Sequence, residues 1–348
     1  MKVETRRVDL RSLSPKDRTL INEILVKSPN ATVFHTIEWN TLLIDAFNLK
    51  NLTLLTIIDG FPAGLYYFYK LNGHRCWSSA VQMQSAYGAP ISTDSNPQVI
   101  IELLKGAQKL QPTADFQIWT PPNYDVSPFE KLGYTFTQMY TPVLDLQVPE
   151  EELWSQLYRN KRTTIRKAIK NNVAIVEGEV SSLDIYHKLV ASTLKVAGIN
   201  PLPKSFYRKV LEELGPLNLA KLFLAKHDGE IISGALILYF KDTAYGWDIG
   251  WNREYAYIAP NDLLNWEIAR RARLEGYKHF DLLRIEPDRL PGIAQWKKTF
   301  GGQILQCYFL RKTMPGYYIW RGIKTMFTDP RKVVNRLMRK RTGVGPHS

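Results

Sequence analysis

The chain has 348 residues and a hydrophobic fraction of 45%, enough for two packed domains and too apolar for bulk disorder. It holds no run of about 18 apolar residues, and its polar start, MKVETRRVDLRSLSPKDR, lacks the apolar centre of a signal peptide. The formal charge of +13 is concentrated in two places, +6 over Arg159–Lys170 and +9 from Arg311 onward, which points to a local anionic partner rather than uniform coating of nucleic acid. Cys76 and Cys307 stand alone, without a zinc or redox motif, so a reducing cytoplasm is the expected setting.

In chain order, LTLLTIIDGFPAGLYYFYKLNGHRCW (Leu52 to Trp77) reads as an apolar strand, a turn at Asp59-Gly60, a second strand and then a third. A helix from Pro97 to Lys109 follows, then a strand at Phe116 (FQIWT). A short helix with aromatic, lysine and glycine (PFEKLGYTF, Pro128 to Phe136) and a closing strand, TPVLDL, complete the unit. The next segment, PEEELWSQLYRNKRTTIRKAIKNNVAIVEG, predicts one helix that begins at Pro149 with acids in its first turn and stops at Asn171-Asn172. Its apolar face is Trp154, Leu157, Tyr158, Ile165, Ala168 and Ile169; Arg159, Arg162, Arg166 and Lys170 form a basic stripe. That stripe, with Lys161 beside it, is either a solvated face or a grip on phosphate or carboxylate.

The first order of elements then returns. AKLFLAKHDGEIISGALILYFKDTAYGWDIGW (Ala220 to Trp251) turns at Asp228-Gly229; a helix from Pro260 to Glu275, the strand HFDLL at His279, the short element AQWKKTFGGQI and the strand LQCYFLR follow. This is an internal repeat of an α/β unit, with meander strands antiparallel and helix-linked strands parallel. Trp247, Asp248, Trp251, Tyr255 and Tyr257 crowd the approach to Pro260, either as core or, for Trp247 and Tyr257, as the lining of a groove for an extended substrate. Asp281 interrupts an apolar strand and needs a partner if ionised and buried; Lys297 or Lys298 would supply one, as a structural pair or as part of a site. The chain contains no GxGxxG, no GxxxxGK[ST], no H-E-x-x-H and no nucleophile elbow, which argues against dinucleotide, P-loop and zinc-protease chemistry.

On these segments the chain resembles a known family. The doubled unit looks like tandem N-acetyltransferase (GNAT-like) domains. RNKRTTIRKAIKNNVAI resembles the basic RNKIRKA-x-K-x-GV segment of the Fem aminoacyltransferases, which build peptidoglycan cross-bridges. PNDLLNWEIARRARLEGYKHFDLL resembles that family's helix–glycine–strand–acid stretch, and WKKTFGGQI its FK-x-x-FGG end motif. The resemblance spans residues 30–312 and implies an α/β (α+β) protein of two tandem GNAT-like domains, each a mixed, mostly antiparallel sheet flanked by helices. These run over residues 1–148 and 149–312, the second starting with the basic helix, and a basic amphipathic tail covers 313–348.

What the resemblance implies chemically is amide formation. An activated ester, with aminoacyl-tRNA as co-substrate, gives its acyl group to an amine of an acidic peptide or of a nucleotide- or lipid-linked cell-envelope precursor, without metal or bound cofactor. Lys297 takes the motif lysine's place, stabilising the oxyanion or holding the precursor; Lys298 is a helper or solvated. Asp281 matches the strand acid, and Arg162 and Arg166 fall where the family holds acceptor phosphate or carboxylate. Two alternatives keep the same sequence: an acyl-CoA-dependent N-acyltransferase, and a non-catalytic basic protein that binds tRNA or an anionic membrane surface.

The chain also departs from the family. Glycines often follow the strand acid there; here the run is Asp281-Leu282-Leu283-Arg284. The stretch from Gly178 to Ala220 is too short for the two-helix arm of some members. YIAPNDLL and ISTDSNPQ lack the glycine turn with which acetyl-CoA enzymes cradle pyrophosphate. In the tail, Ile319, Trp320, Ile323, Met326 and Phe327 share one helical face and basic residues the others, a pattern for an anionic membrane surface at the inner face, for tRNA backbone, or for packing on the protein itself.

Overall fold

A computed structural model describes residues 2–70, 75–77 and 86–319, so most of the basic tail call over 313–348 lies outside the described residues. Both meanders turn where the sequence predicts. Asp59 and Gly60 take φ of 49° and 88°, and Asp228 and Gly229 take 48° and 81°. Positive φ at both central positions makes the tight turn whose twist suits paired strands, which is why Asp-Gly stands at each. Leu54–Ile58 pairs with Phe61–Tyr66, and Ala220–His227 with Glu230–Phe240, each with a register shift near the turn, at Thr56/Ile57 and Ala225/Lys226. The repeat therefore extends to the position of a bulge. It also reaches further back than its sequence signal: ahead of its meander each unit carries a strand and two helices, Val3–Arg7, Pro15–Lys27 and Ile37–Phe47 in the first, Ala174–Gly178, Leu183–Val196 and Lys204–Lys209 in the second, where the two helices of the linker segment come before them.

Val3–Arg7, Leu54–Ile58, Phe61–Tyr66 and Ile91–Ser92 form one sheet of the described residues, and the remaining strands a long second sheet. As expected, Thr243–Trp251 and His279–Asp281, which flank the helix Pro260–Leu274, are parallel; in the first unit the strand just before the helix Pro97–Leu110, Ile91–Ser92, lies in the other sheet, and the parallel partner of Asp115–Trp119 is the earlier strand Arg75–Trp77. The closing strands exchange places. Thr135–Asp145, the last strand of the first unit, pairs with His279–Asp281 of the second on one side and with Gln303–Thr313 on the other. Gln303–Thr313 in turn pairs with Asp115–Trp119 of the first unit. Each unit thus completes the sheet of the other, and strand pairing crosses the 148/149 cut.

Entry into that last strand explains the double glycine. Gly301 and Gly302 have φ of 78° and 77°, and a Cβ would fall 2.5 Å from the Gln156 carbonyl oxygen at the first and 2.5 Å from that of Val143 at the second. Only glycine permits both the left-handed backbone and the approach, so the chain drops from the helix Pro291–Lys298 directly onto Thr135–Asp145. The predicted single linker helix is instead two, Glu150–Gln156 and Arg159–Lys170, broken where Leu157 and Tyr158 turn extended. The break lets the Tyr158 N–H donate to the Thr299 carbonyl at 3.0 Å, a tertiary bond that outweighs local helix propensity. Between the units the core is aromatic: Phe34 and Trp39 pack edge-on against Tyr245 and Trp247 at 5.7 and 5.3 Å.

Candidate active site

Strand Thr243–Trp251 pairs with His279–Asp281 only over Thr243–Tyr245, and the two then part. A register shift opposite Leu236/Ile237 leaves Trp247 out of the ladder at the same point. The parting strands open a wedge of about 160 Å³, walled by Gly246, Asp248 and Ile249 on one side and by Leu282, Arg284 and Glu286 on the other. The helix Pro291–Lys298 brings Ile293, Trp296 and Lys297 to the same wedge.

Lys297 donates through Nζ to the carbonyls of Leu283 and Arg284, both at 3.2 Å. Burial lowers its pKa to about 8, against the pull of Asp281. Asp281 approaches the same loop from the other face, toward a second cleft that it lines with Tyr87 and His279. It is 1% exposed and accepts from Thr141, from the Tyr87 hydroxyl at 2.8 Å and from the Leu283 N–H at 2.7 Å. Burial raises its pKa; these three bonds and the charge of Lys297 oppose the rise. The expected partners therefore hold one residue from two sides: Asp281 takes the N–H of Leu283, and Lys297 donates to its carbonyl. Leu283 has a φ of 59°, a left-handed conformation that costs a leucine about 1–2 kcal/mol. The departure from a glycine-rich run is thus a leucine pinned in glycine's conformation.

Asp248, which the sequence groups with the aromatics around it and gives no role of its own, also lines the wedge. It accepts from the Tyr207 hydroxyl at 2.5 Å and from the Ile249 N–H at 2.9 Å, and burial pushes its pKa up to about 7 against both bonds. Its signal was the one that singled out Asp281, an acid inside an apolar strand, but the surrounding aromatics masked it. Arg284 also enters the wedge, its guanidinium 3.1 Å from Glu286 and 4.8 Å from the Trp119 ring centroid of the first unit.

The other candidates fall elsewhere. Trp247 does wall the wedge, but its ring is buried against Trp39, Phe206 and Tyr207. Lys161 is not open to a ligand: it is 4% exposed and donates to Asp262 at 2.6 Å, with the Phe300 ring centroid 4.4 Å away. Burial lowers its pKa and Asp262 opposes that. Arg162 donates to the Ser155 carbonyl at 2.9 Å and Arg166 stacks on Trp154 at 5.2 Å, both on the outer face of the basic helix and neither on a wall of the wedge. Tyr257 is exposed beside Tyr255, and Lys298 is half-buried outside the wedge walls.

Past Ile293 the wedge continues into a wider cleft of about 560 Å³ that reaches Ala259 and Pro260, where the helix Pro260–Leu274 begins. Ala259 takes φ 52° there, and the carboxylate of Asp262 occupies the first turn.

Residues 159–298 match the family described as acetyltransferase (GNAT) domain. Over those residues the second unit is similar to GNAT acetyltransferase domains. Its match begins at the basic helix and ends at Lys298, so it includes both the wedge and the lysine pair. Of solved structures, FemX superposes over 92% of this chain and 99% of its own with a TM-score of 0.69 at 14% identity. A tandem GNAT protein from the clavulanic acid biosynthesis pathway covers 89% and 98% with a TM-score of 0.57 at 11% identity. The C-terminal domain of a lysylphosphatidylglycerol synthetase from Agrobacterium fabrum covers 89% and 96% with a TM-score of 0.54 at 10% identity. The fold is the tandem GNAT fold in its Fem-like form. No curated protein matches the chain. Among the described residues no helix is long and apolar enough to cross a membrane.

Proposed function

We propose that the GNAT wedge of the second unit forms an amide bond between an aminoacyl ester and an amine. The observation that carries this reading is the convergence of Lys297 and Asp248 on one wedge, with pKa values of about 8 and 7. Near neutral pH the lysine is largely charged and about half of the acid is ionised, the states that the two halves of acyl transfer require. The amine nitrogen attacks the ester carbonyl carbon. The carbonyl oxygen becomes an oxyanion, which the Lys297 ammonium stabilises. The proton released from nitrogen passes to Asp248; collapse of the intermediate re-forms the carbonyl and expels the ester oxygen, which takes that proton and leaves as a hydroxyl. Asp281 is a positioning residue in this scheme, since it holds Leu283 and through it the carbonyls that orient Lys297.

Aminoacyl-tRNA is favoured as donor over acyl-CoA by the start of the helix Pro260–Leu274. Ala259 and Pro260 stand where a glycine turn would offer N–H groups to pyrophosphate, and Asp262 already fills the first turn. An acidic peptide or a nucleotide- or lipid-linked envelope precursor fits as acceptor because Arg159, Arg162 and Arg166 line the outer face of the adjacent basic helix. The likeness to FemX and to a lysylphosphatidylglycerol synthetase domain is consistent with such a substrate.

The test is a mass-spectrometric screen of amine acceptors against charged tRNA and acyl-CoA donors. Product is expected with charged tRNA, and Lys297→Met should lower kcat/KM by at least about 100-fold with little change in Tm. Product from acyl-CoA alone reassigns the donor; undiminished turnover in the variant removes Lys297 from the mechanism.

A further inference from the structure

The walls of the wedge say something about the group that is transferred, given the centre proposed above. Apart from its charged residues and the polar Thr193 and Asn265, the wedge is apolar, with Leu194, Ile199, Ala235, Ile237, Leu282 and Ile285 facing it. Small residues keep it open: Ala235 on the central strand and Gly246 at the parting point carry no bulk into it. Its volume of about 160 Å³ is close to that of an apolar cavity that admits benzene, roughly 150 Å³. Water gains few partners along such walls, whereas an apolar side chain gains burial. Glycyl or acetyl groups leave most of the space unfilled.

The wider cleft beyond is built differently at its rim. Arg253 and Arg289 flank it, and Val196 and Ile293, 61% and 41% exposed, reach into it. It shares Ile249, Ile293, Trp296 and Lys297 with the wedge, so one ligand spans both. A transferred group in the wedge leaves its ester oxygen at Lys297 and an anionic leaving group toward the two arginines.

We infer that the enzyme transfers an aminoacyl group with an apolar side chain of leucine to phenylalanine size, seated in the wedge, and discriminates against glycyl and alanyl groups. No additional reactant is required, because the bonds formed and broken are those of the amide-forming step. Discrimination rests on burial of three or more extra methylene-sized groups, so a preference of at least about tenfold is expected.

Binding and transfer are measured separately. Leucyl and glycyl amides of 3′-amino-adenosine, and isobutyl and methyl thioethers of coenzyme A, are titrated into the full chain by calorimetry; none of these can transfer its group. The leucyl amide should bind at least about tenfold tighter than the glycyl amide, and Ile293→Asp, at the partly exposed mouth, should reduce that difference. Ala235→Ile fills the wedge and should reverse the preference toward the small group. Equal binding of the large and small groups to the unmodified protein overturns the inference, as does unchanged selectivity in correctly folded Ala235→Ile. Selective binding by the apolar amide without product from charged tRNA leaves the wedge assignment standing and removes the transfer reading instead. A preference confined to the thioethers supports the apolar wedge but overturns the aminoacyl donor.

Discussion

At the scale of single residues, the proposed chemistry rests on two groups whose surroundings bring their pKa values toward each other. Burial raises Asp248 to about 7 and lowers Lys297 to about 8. Asp248 must be ionised to accept a proton and Lys297 must be charged to meet an oxyanion. The expected kcat/KM profile is therefore a narrow bell, rising near pH 7 and falling near pH 8. Asp248→Asn should remove the rising limb, and Lys297→Arg should move the falling limb out of range in whatever activity remains. A profile that stays bell-shaped in Asp248→Asn excludes that acid as the base. The same shift has a stability consequence. An acid whose folded pKa is raised binds its proton more tightly when folded, so its contribution declines as pH rises from about 4 through 7. Asp248→Asn should accordingly raise Tm more at pH 8 than at pH 5. Lys297 was legible in the sequence because a motif carries it. Asp248 was not, since what distinguishes it is the bulge and the tyrosine of another helix, neither of which its neighbours in sequence announce.

At the scale of elements, the basic helix has two faces with different jobs. Its inner face is fastened by Lys161, whose ammonium meets an Asp262 that also accepts from Trp296 Nε1 at 2.7 Å and from Thr164. One carboxylate thus joins the basic helix, the helix Pro260–Leu274 and the helix that carries Lys297. Lys161→Met should cost about 3 kcal/mol or more by leaving the carboxylate buried without its cation, while Lys161→Met with Asp262→Leu should recover much of the loss. Chemical denaturation of the two variants measures the difference; a single variant as stable as the parent shows that the pair fastens nothing. The turns at Asp59-Gly60 and Asp228-Gly229 were readable because a tight hairpin turn is a property of two residues. The break at Leu157-Tyr158 was not, because its cause is the Thr299 carbonyl, which lies far along the chain.

At the scale of the whole molecule, sequence showed two similar units in tandem but not their exchange of closing strands. TPVLDL and LQCYFLR have the same apolar character, and either would suit either sheet; pairing is a choice between equivalents that composition does not decide. Cutting the chain between residues 148 and 149 should therefore not release two self-sufficient domains. Each fragment alone should be aggregation-prone, with an unpaired edge beside Asp115–Trp119 or His279–Asp281, and co-expression should recover a soluble 1:1 complex. Two fragments that each fold to a cooperative monomer would contradict this. The exchange also sets an order of events during synthesis. When Thr135–Asp145 leaves the ribosome, both of its eventual neighbours, His279–Asp281 and Gln303–Thr313, are still untranslated. At about 5–20 residues per second this eleven-residue strand waits roughly ten seconds or more for its partners. During that interval it is a sticky ribbon held open by topology, and a chaperone that shields extended apolar chain should be found on the nascent protein with residue 145 exposed and residue 303 not yet made.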